Sequence, residues 1–198
     1  MMKTKEKLID AAIELLLQQG YESTSVSSIV QKANVAQGTF YLYFKSKYDM
    51  VLAIANRIIE DLLHQINNID YRKLTFDSFL LRWIECVYAI TIKNSHLINY
   101  VYSKSAEHQR FVAWEALYEP YYNTFSEMIK FYQSLGQCTE LFPSKTLAKF
   151  LINVVEESAE NHVLFNESKE NTEDSIQFVY EFIIRSLKIE RKGEQIPC

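Results

Sequence analysis

The chain has 198 residues, 48% of them hydrophobic and 23% charged, with a net charge of −4. That length can bury a substantial core without staples, and Cys86, Cys138 and Cys198, odd in number and without a Cys-x-x-Cys spacing, exclude a disulfide framework or a zinc site. No apolar run approaches the roughly 18 residues that cross a bilayer and no signal-peptide pattern opens the chain, so a soluble protein of the reducing cytoplasm with no membrane partner is expected.

In chain order, Ile9, Ala12, Ile13, Leu16 and Leu17 recur at helical spacing and predict a helix over about 3–19, with Gly20 placed to end it in a left-handed cap. Thr24 or Ser25 can cap a second helix whose apolar face is Val26, Ile29, Val30 and Ala33. A turn at Asn34-Val35 leads to a third helix holding Phe40 and Phe44. Ser46 can cap a fourth, with Asp49 three residues on where a capping box places an acid, and apolar residues continue from Met50 to Ile66. Further helices are predicted near 74–93, 95–105, 107–135, 144–166 and 173–189, with few β-branched alternations to indicate strands. Pro120 interrupts the third of these and requires either a kink or two helices, because it offers no N–H to the carbonyl of Ala116. Gly136 and Pro143 bracket a loop, Ser144 can cap the helix after it, and 166–174 is a polar loop. The expected fold is all-α with about nine helices: a three-helix domain over 1–48 with a helix-turn-helix at about 25–44, a helical module over 49–190, and a polar tail over 191–198.

The charge is unevenly spread. Residues 1–48 carry six lysines against four acids, a balance of +2, so the remainder carries −6. The basic end coincides with the helix-turn-helix, whose second helix enters the major groove while flanking residues grip phosphates. Gln37 can pair with adenine in bidentate fashion, and Thr39 offers a hydroxyl and a methyl for thymine. Gly38 permits close backbone approach. Tyr41 and Tyr43 cannot both be core on a helix that already buries Phe40 and Phe44, so at least one phenol should face out towards a phosphate; for Tyr41 core and contact both stay open. Thr24, Ser25 and Ser28 at the start of the second helix and Lys47 at the start of the fourth are the expected phosphate grips.

Gly20-Tyr21, Thr24, Val26 to Ile29, Ala33-Asn34-Val35, Gly38-Thr39-Phe40-Tyr41-Leu42-Tyr43-Phe44 and Lys47 resemble the N-terminal signature of the TetR family of bacterial transcriptional repressors, over about residues 5–55. The resemblance implies a second domain that binds a small effector and forms a homodimer, which sets two reading heads on a palindromic operator in double-stranded DNA. Three positions depart from the family pattern Ala-Gly-Val-Ser-Lys-Gly, here Ala33-Asn34-Val35-Ala36-Gln37-Gly38. Ala36 forgoes a side-chain cap worth ~1 kcal/mol, and Gln37 forgoes a positive charge. Asn34 is the milder change, since Asn tolerates a left-handed turn.

In the second module aromatics crowd residues 71–135. Most should be core, yet aromatic walls with a few polar tips also build small-molecule sites. Trp83, Glu85, Tyr88, Tyr102, Trp114, Tyr118, Tyr121 and Phe125 are the candidate lining, with Arg82 the alternative partner for Glu85. The effector expected is apolar or a lipophilic cation, the latter from Glu85, Glu107, Glu115 and Glu119, with a fatty-acyl compound as competitor. Apolar stripes on the last two helices, including Phe150, Leu151, Val155, Ala159, Phe178 and Phe182 with His162 nearby, form the candidate dimer interface as a four-helix bundle with its copy.

Enzyme motifs do not occur: there is no Gly-rich phosphate loop, no His-Glu-x-x-His and no Gly-x-Ser-x-Gly. Asp61-x-x-His64 has helical metal spacing but no accompanying ligand set. No catalytic residue, metal or cofactor is expected. The sequence reads as a ligand-responsive DNA-binding regulator, with a helical sensor or adaptor whose N-terminal bundle contacts protein as the alternative.

Overall fold

A computed structural model of the chain describes residues 3–102, 108–165 and 171–187; the polar tail and Glu107 lie outside the described residues. Among these the fold is helical throughout, with α1 (Thr4–Ser23), α2 (Val26–Lys32), α3 (Gln37–Tyr41), α4 (Lys47–Asn67), a 3-10 turn (Tyr71–Lys73), α5 (Phe76–Tyr102), α6 (His108–Ser134), α7 (Ser144–Phe165) and α8 (Thr172–Ser186). The described residues thus form eight α-helices where about nine are expected. The predicted helices 74–93 and 95–105 are one, because the polar residues Lys93, Asn94 and Ser95 between them carry neither Gly nor Pro and a helix tolerates them. α6 likewise runs through Pro120; that residue and Ala116 are both exposed, so water can satisfy the carbonyl that the ring leaves unbonded.

The chain divides into two compact units, Met1–Glu60 with Asn94–Ala116, and Asp61–Lys93 with Leu117–Cys198. The first unit is therefore larger than the predicted 1–48 domain. Its core gathers Leu8, Ile9, Ala12 and Leu16 from α1, Ile29 and Val30 from α2, Phe40 and Phe44 around α3, Met50 and Ile54 from α4, and Leu97 from the far end of α5. Arg57 pairs with Asp10, tying α4 to α1. At Gly20 the backbone takes φ 78° and ψ 171°, so α1 bends there in a conformation that is essentially restricted to glycine, although not in the left-handed helical one expected of a cap.

The second unit is built on aromatic packing. Phe79 stacks on Tyr132 at 5.3 Å and Trp83 lies 4.2 Å from Phe125, centroid to centroid. The Trp83 indole N–H donates to the Tyr121 hydroxyl at 2.8 Å, and the Tyr132 hydroxyl donates to the carbonyl of Tyr71 at 2.6 Å. Tyr88 bonds Ser158 at 2.8 Å and Ser175 at 2.9 Å, joining α5 to α7 and α8. Gly136, with φ 66°, ends α6, and the Gln133 amide spans the following loop to the carbonyls of Thr139 and Phe142. Asp61 pairs with Lys93 and His64 lies 3.4 Å from Asn68, so this candidate metal pair has ordinary side-chain neighbours.

Candidate nucleic-acid interface and helical module

The turn before α3 is set by Asn34, the only non-glycine with positive φ among the described residues, at 54°. Its backbone N–H bonds the carbonyl of Gln31 and that of Val35 bonds Val30, which closes α2 and redirects the chain. α3 then buries one side: Phe40 and Phe44 sit in the core, their rings 5.4 Å apart. The opposite side faces out. Gln37 and Gly38 are exposed, Tyr41 is 55% exposed, Tyr43 45%, and Thr39 half-buried. A Cβ at Gly38 would meet nothing within 4 Å, so packing within the chain does not require the glycine. Leu42, passed over in the sequence, is 80% exposed between the two tyrosines; its signal was a large apolar side chain one residue from the buried phase of the helix. Ala36 occupies the N-cap of α3 without a side-chain hydrogen bond.

The four expected phosphate grips also have partners within the chain, and of them only Thr24 is buried. Thr24 is 1% exposed and its hydroxyl donates to the carbonyl of Gly20 at 2.7 Å. Ser25 and Ser28 form a reciprocal capping box at the start of α2: each backbone N–H donates to the other's hydroxyl at 3.0 Å. The Ser28 hydroxyl in turn donates to the carbonyl of Ser25 at 2.8 Å and the Ser25 hydroxyl to Ser28 at 3.2 Å, which spends both protons inside the cap. The Lys47 ammonium donates to the carbonyls of Tyr21 at 2.8 Å and Thr24 at 3.0 Å and lies 3.8 Å from the Tyr21 ring centroid. At the start of α4 Ser46 accepts from the N–H of Asp49 as expected, while the Asp49 carboxylate takes the N–H of Lys45 rather than that of the cap residue. Lys3, Lys5, Lys7 and Lys45 are exposed, whereas Lys32 pairs with Glu14 at 2.6 Å.

In the second unit Trp83, Tyr88, Tyr121 and Phe125 are all buried in the packed core described above. Glu85 is exposed and so turns away from that core, a correction to its place in the candidate lining. Trp114 belongs to the first unit, and Tyr102 lies outside the residues whose side chains are described. Tyr118 is half-buried and its ring lies 6.4 Å from Tyr121 and 5.7 Å from Tyr122. It hydrogen-bonds the carboxyl of Glu156 on α7, a residue that sequence reasoning missed because nothing in its spacing marks it. Burial, reinforced by Glu160, pushes that carboxyl up to about 8 against the relief from Tyr118. Burial also pushes the Cys86 thiol up, with Glu85 adding to it.

The candidate dimer residues separate into two sets. Leu151, Val155 and Ala159 are already buried within the single chain, so those three are corrected to core. Phe150, Phe178 and Phe182 are exposed by 59%, 70% and 52%. His162 is half-buried, 3.1 Å from the Thr172 hydroxyl.

Residues 8–54 match the model of bacterial regulatory proteins of the tetR family, and residues 80–187 match the tetracyclin repressor-like C-terminal domain. The chain belongs to the TetR family. It is 36% identical over 182 residues, covering 92% of this chain and 94% of the relative, to the uncharacterized HTH-type transcriptional regulator YvdT of Bacillus subtilis (strain 168). Among solved structures it is similar in fold to FadR of Thermus thermophilus in complex with lauroyl-CoA, with TM-score 0.76 at 16% identity over 98% of this chain and 100% of that one. FadR of Bacillus subtilis in complex with stearoyl-CoA gives 0.70 at 22% identity over 90% and 97%. This TetR-family chain is a DNA-binding transcriptional regulator of helix-turn-helix type. No helix among its described residues is long and apolar enough to cross a membrane.

Proposed function

We propose that this regulator is a cytoplasmic repressor that binds a palindromic operator as a homodimer and is released by a small apolar or amphipathic effector. The observation that carries the reading is the two-sided build of α3: Phe40 and Phe44 anchor it while Gln37, Gly38, Tyr41 and Tyr43 face outward. In the major groove Gln37 and Thr39 read base edges, Leu42 offers apolar contact to a thymine methyl, and the tyrosine hydroxyls reach phosphates. Mixing the purified protein with its own upstream DNA tests this. Salt-sensitive binding to a palindrome that survives competitor DNA supports it, and absence of such binding returns the adaptor reading.

Dimerisation is supported by Phe150, Phe178 and Phe182, which expose apolar surface on α7 and α8, with Phe178 and Phe182 one turn apart. Two copies joined there would hold reading heads one helical turn apart, ~34–36 Å, or a multiple of it. Monomer in sedimentation at micromolar concentration would refute the dimer. For the effector, the acyl-CoA complexes of two proteins of similar fold support an acyl compound, with a lipophilic cation as the alternative. A thermal-shift screen separates them, because stabilisation by acyl thioesters alone removes the cation. Either effector acts by favouring one of two arrangements of the reading heads.

A further inference from the structure

We infer that Tyr88 is a positioning residue for dimerisation: its buried hydroxyl fixes the register of α7 against α8, and with it the face that Phe150, Phe178 and Phe182 present to a second copy. The inference rests on the homodimer proposed above, and failure of that reading would show separately, as wild-type protein that stays monomeric.

α7 and α8 contact each other directly. The buried residues of α7 are all apolar, and those of α8 are apolar but for Ser175 and Tyr180. Apolar contact is non-directional and discriminates weakly between registers. A buried polar group discriminates strongly, because a setting that leaves it without its hydrogen bond costs the full desolvation of that group. The Tyr88 hydroxyl on α5 is such a group: it is fully buried and bonds the hydroxyl of Ser158 on α7 at 2.8 Å and that of Ser175 on α8 at 2.9 Å. One turn further along α7, His162 lies 3.1 Å from the hydroxyl of Thr172 on α8, and its ring is 5.9 Å from that of Tyr88. From Ser158 to His162 is one turn forward on α7, and from Ser175 to Thr172 one turn back on α8, the spacing of antiparallel neighbours. Tyr180 adds a bond from α8 to Asp77 at the start of α5, and that bond engages α8 only. The Tyr88 hydroxyl is shared, so α5 holds both helices to one setting.

The register matters because the exposed phenylalanines are divided between the two helices, Phe150 on α7, Phe178 and Phe182 on α8. A slip of one turn would carry the two on α8 about 5.4 Å along the axis past the one on α7. A two-fold interface is self-complementary, so the same error enters twice, once from each copy. Tyr88 and Ser175 are themselves buried within the chain and act through the register, not by touching a partner.

Tyr88→Phe tests this, since it keeps the ring and removes the shared hydroxyl. Dissociation of the dimer is followed by sedimentation over a dilution series, with circular dichroism and thermal melts on the same samples. The expected result is at least a tenfold rise in dimer Kd at unchanged helix content, with a lower melting temperature because the buried Ser175 hydroxyl loses its partner. An unchanged Kd overturns the inference. A second variant separates register from simple loss of stability. Tyr88→Phe combined with Ser158→Ala and Ser175→Ala removes all three hydroxyls, so no member of the cluster is left orphaned and the protein should melt higher than Tyr88→Phe alone. Its Kd should nonetheless stay at least tenfold above the wild type, because α5 no longer sets α7 against α8. A Kd that recovers together with the melting temperature overturns the inference and leaves Tyr88 a core residue without a part in dimerisation.

Discussion

Two sets of aromatic residues in this protein look alike in sequence and behave oppositely. Tyr41 and Tyr43 on and just after α3 stand with their rings against buried phenylalanines and much of their surface in solvent. In the second unit Trp83, Tyr88, Tyr121 and Tyr132 are wholly buried, and every polar tip is matched: indole to phenol, phenol to serine, phenol to carbonyl. The difference teaches that an aromatic's role follows from where its polar atom is satisfied. A tyrosine whose hydroxyl is bonded inside the fold belongs to stability, and one whose ring only leans on the core is available to DNA.

The most severe way to break this comparison is to truncate one member of each set. Trp83→Ala should cost ~3–5 kcal/mol in chemical denaturation, the range for removing a large buried side chain. Tyr41→Ala should stay within about 0.5 kcal/mol of wild type while weakening operator binding on all sequences. If both variants destabilise alike, Tyr41 is core and its assignment to the DNA face fails.

A second test acts through pH. The Glu156 carboxyl, ordinarily near 4.5 and here pushed up to about 8, faces Glu160 on its own helix, Tyr118 and Tyr121 on α6. Between these two values the folded protein holds a proton that the unfolded chain has released. Stability therefore falls as pH rises through the window and levels off above the folded value, with a slope of at most about 1.4 kcal/mol per pH unit from this group. Thermal melts at pH 5, 6.5 and 8.5 should show the decline in the wild type and a flatter profile in Glu156→Gln, whose amide cannot ionise. Equal profiles would mean that the carboxyl ionises in the folded protein much as it does in water.

A milder change sharpens the comparison at a single atom. Tyr121→Phe leaves the ring in place but removes the acceptor of the Trp83 indole N–H, so a buried donor goes unsatisfied at a cost of ~1–3 kcal/mol. Tyr43→Phe removes a hydroxyl from an exposed ring and should leave the melting temperature unchanged while lowering DNA affinity. Melting curves and filter binding on the two variants read both effects.

Features that depend on neighbours along the chain were legible in the sequence. The Phe40–Phe44 pairing, the Ser25 start of α2, the Ser46 cap and the left-handed Asn34 all come from local geometry. Features that depend on residues far apart were not. Lys47 and Thr24 have the composition of phosphate grips, and only the bend at Gly20 turns carbonyls towards them. Leu97 joins the first core across more than forty residues, which no periodicity in α5 announces. Helical spacing placed Leu151, Val155 and Ala159 on an apolar stripe with Phe150, but the stripe is wide enough to cover both a core and a surface. Glu85 looked like a carboxylate in an apolar helix because α5 is apolar on most sides, and its own side is the exposed one.

The smallest effect concerns the start of α3, where the exposed set of the comparison begins. Ala36 sits at the N-cap with extended backbone, φ −69° and ψ 148°, the conformation from which a serine hydroxyl accepts an N–H of the first turn. Ala36→Ser should therefore stabilise the first unit by about 1 kcal/mol at most. On a five-residue helix even that sum should matter locally, since so short a helix relies on its ends and on tertiary packing. Amide exchange at Thr39 and Phe40 should slow several-fold in the variant, while exchange in α7 stays unchanged. Operator affinity should rise with it, because a better-ordered α3 loses less freedom on binding. If exchange slows and affinity does not move, the orientation of α3 is already set by Phe40, Phe44 and the entry to α2, and the missing cap costs this protein stability but not recognition.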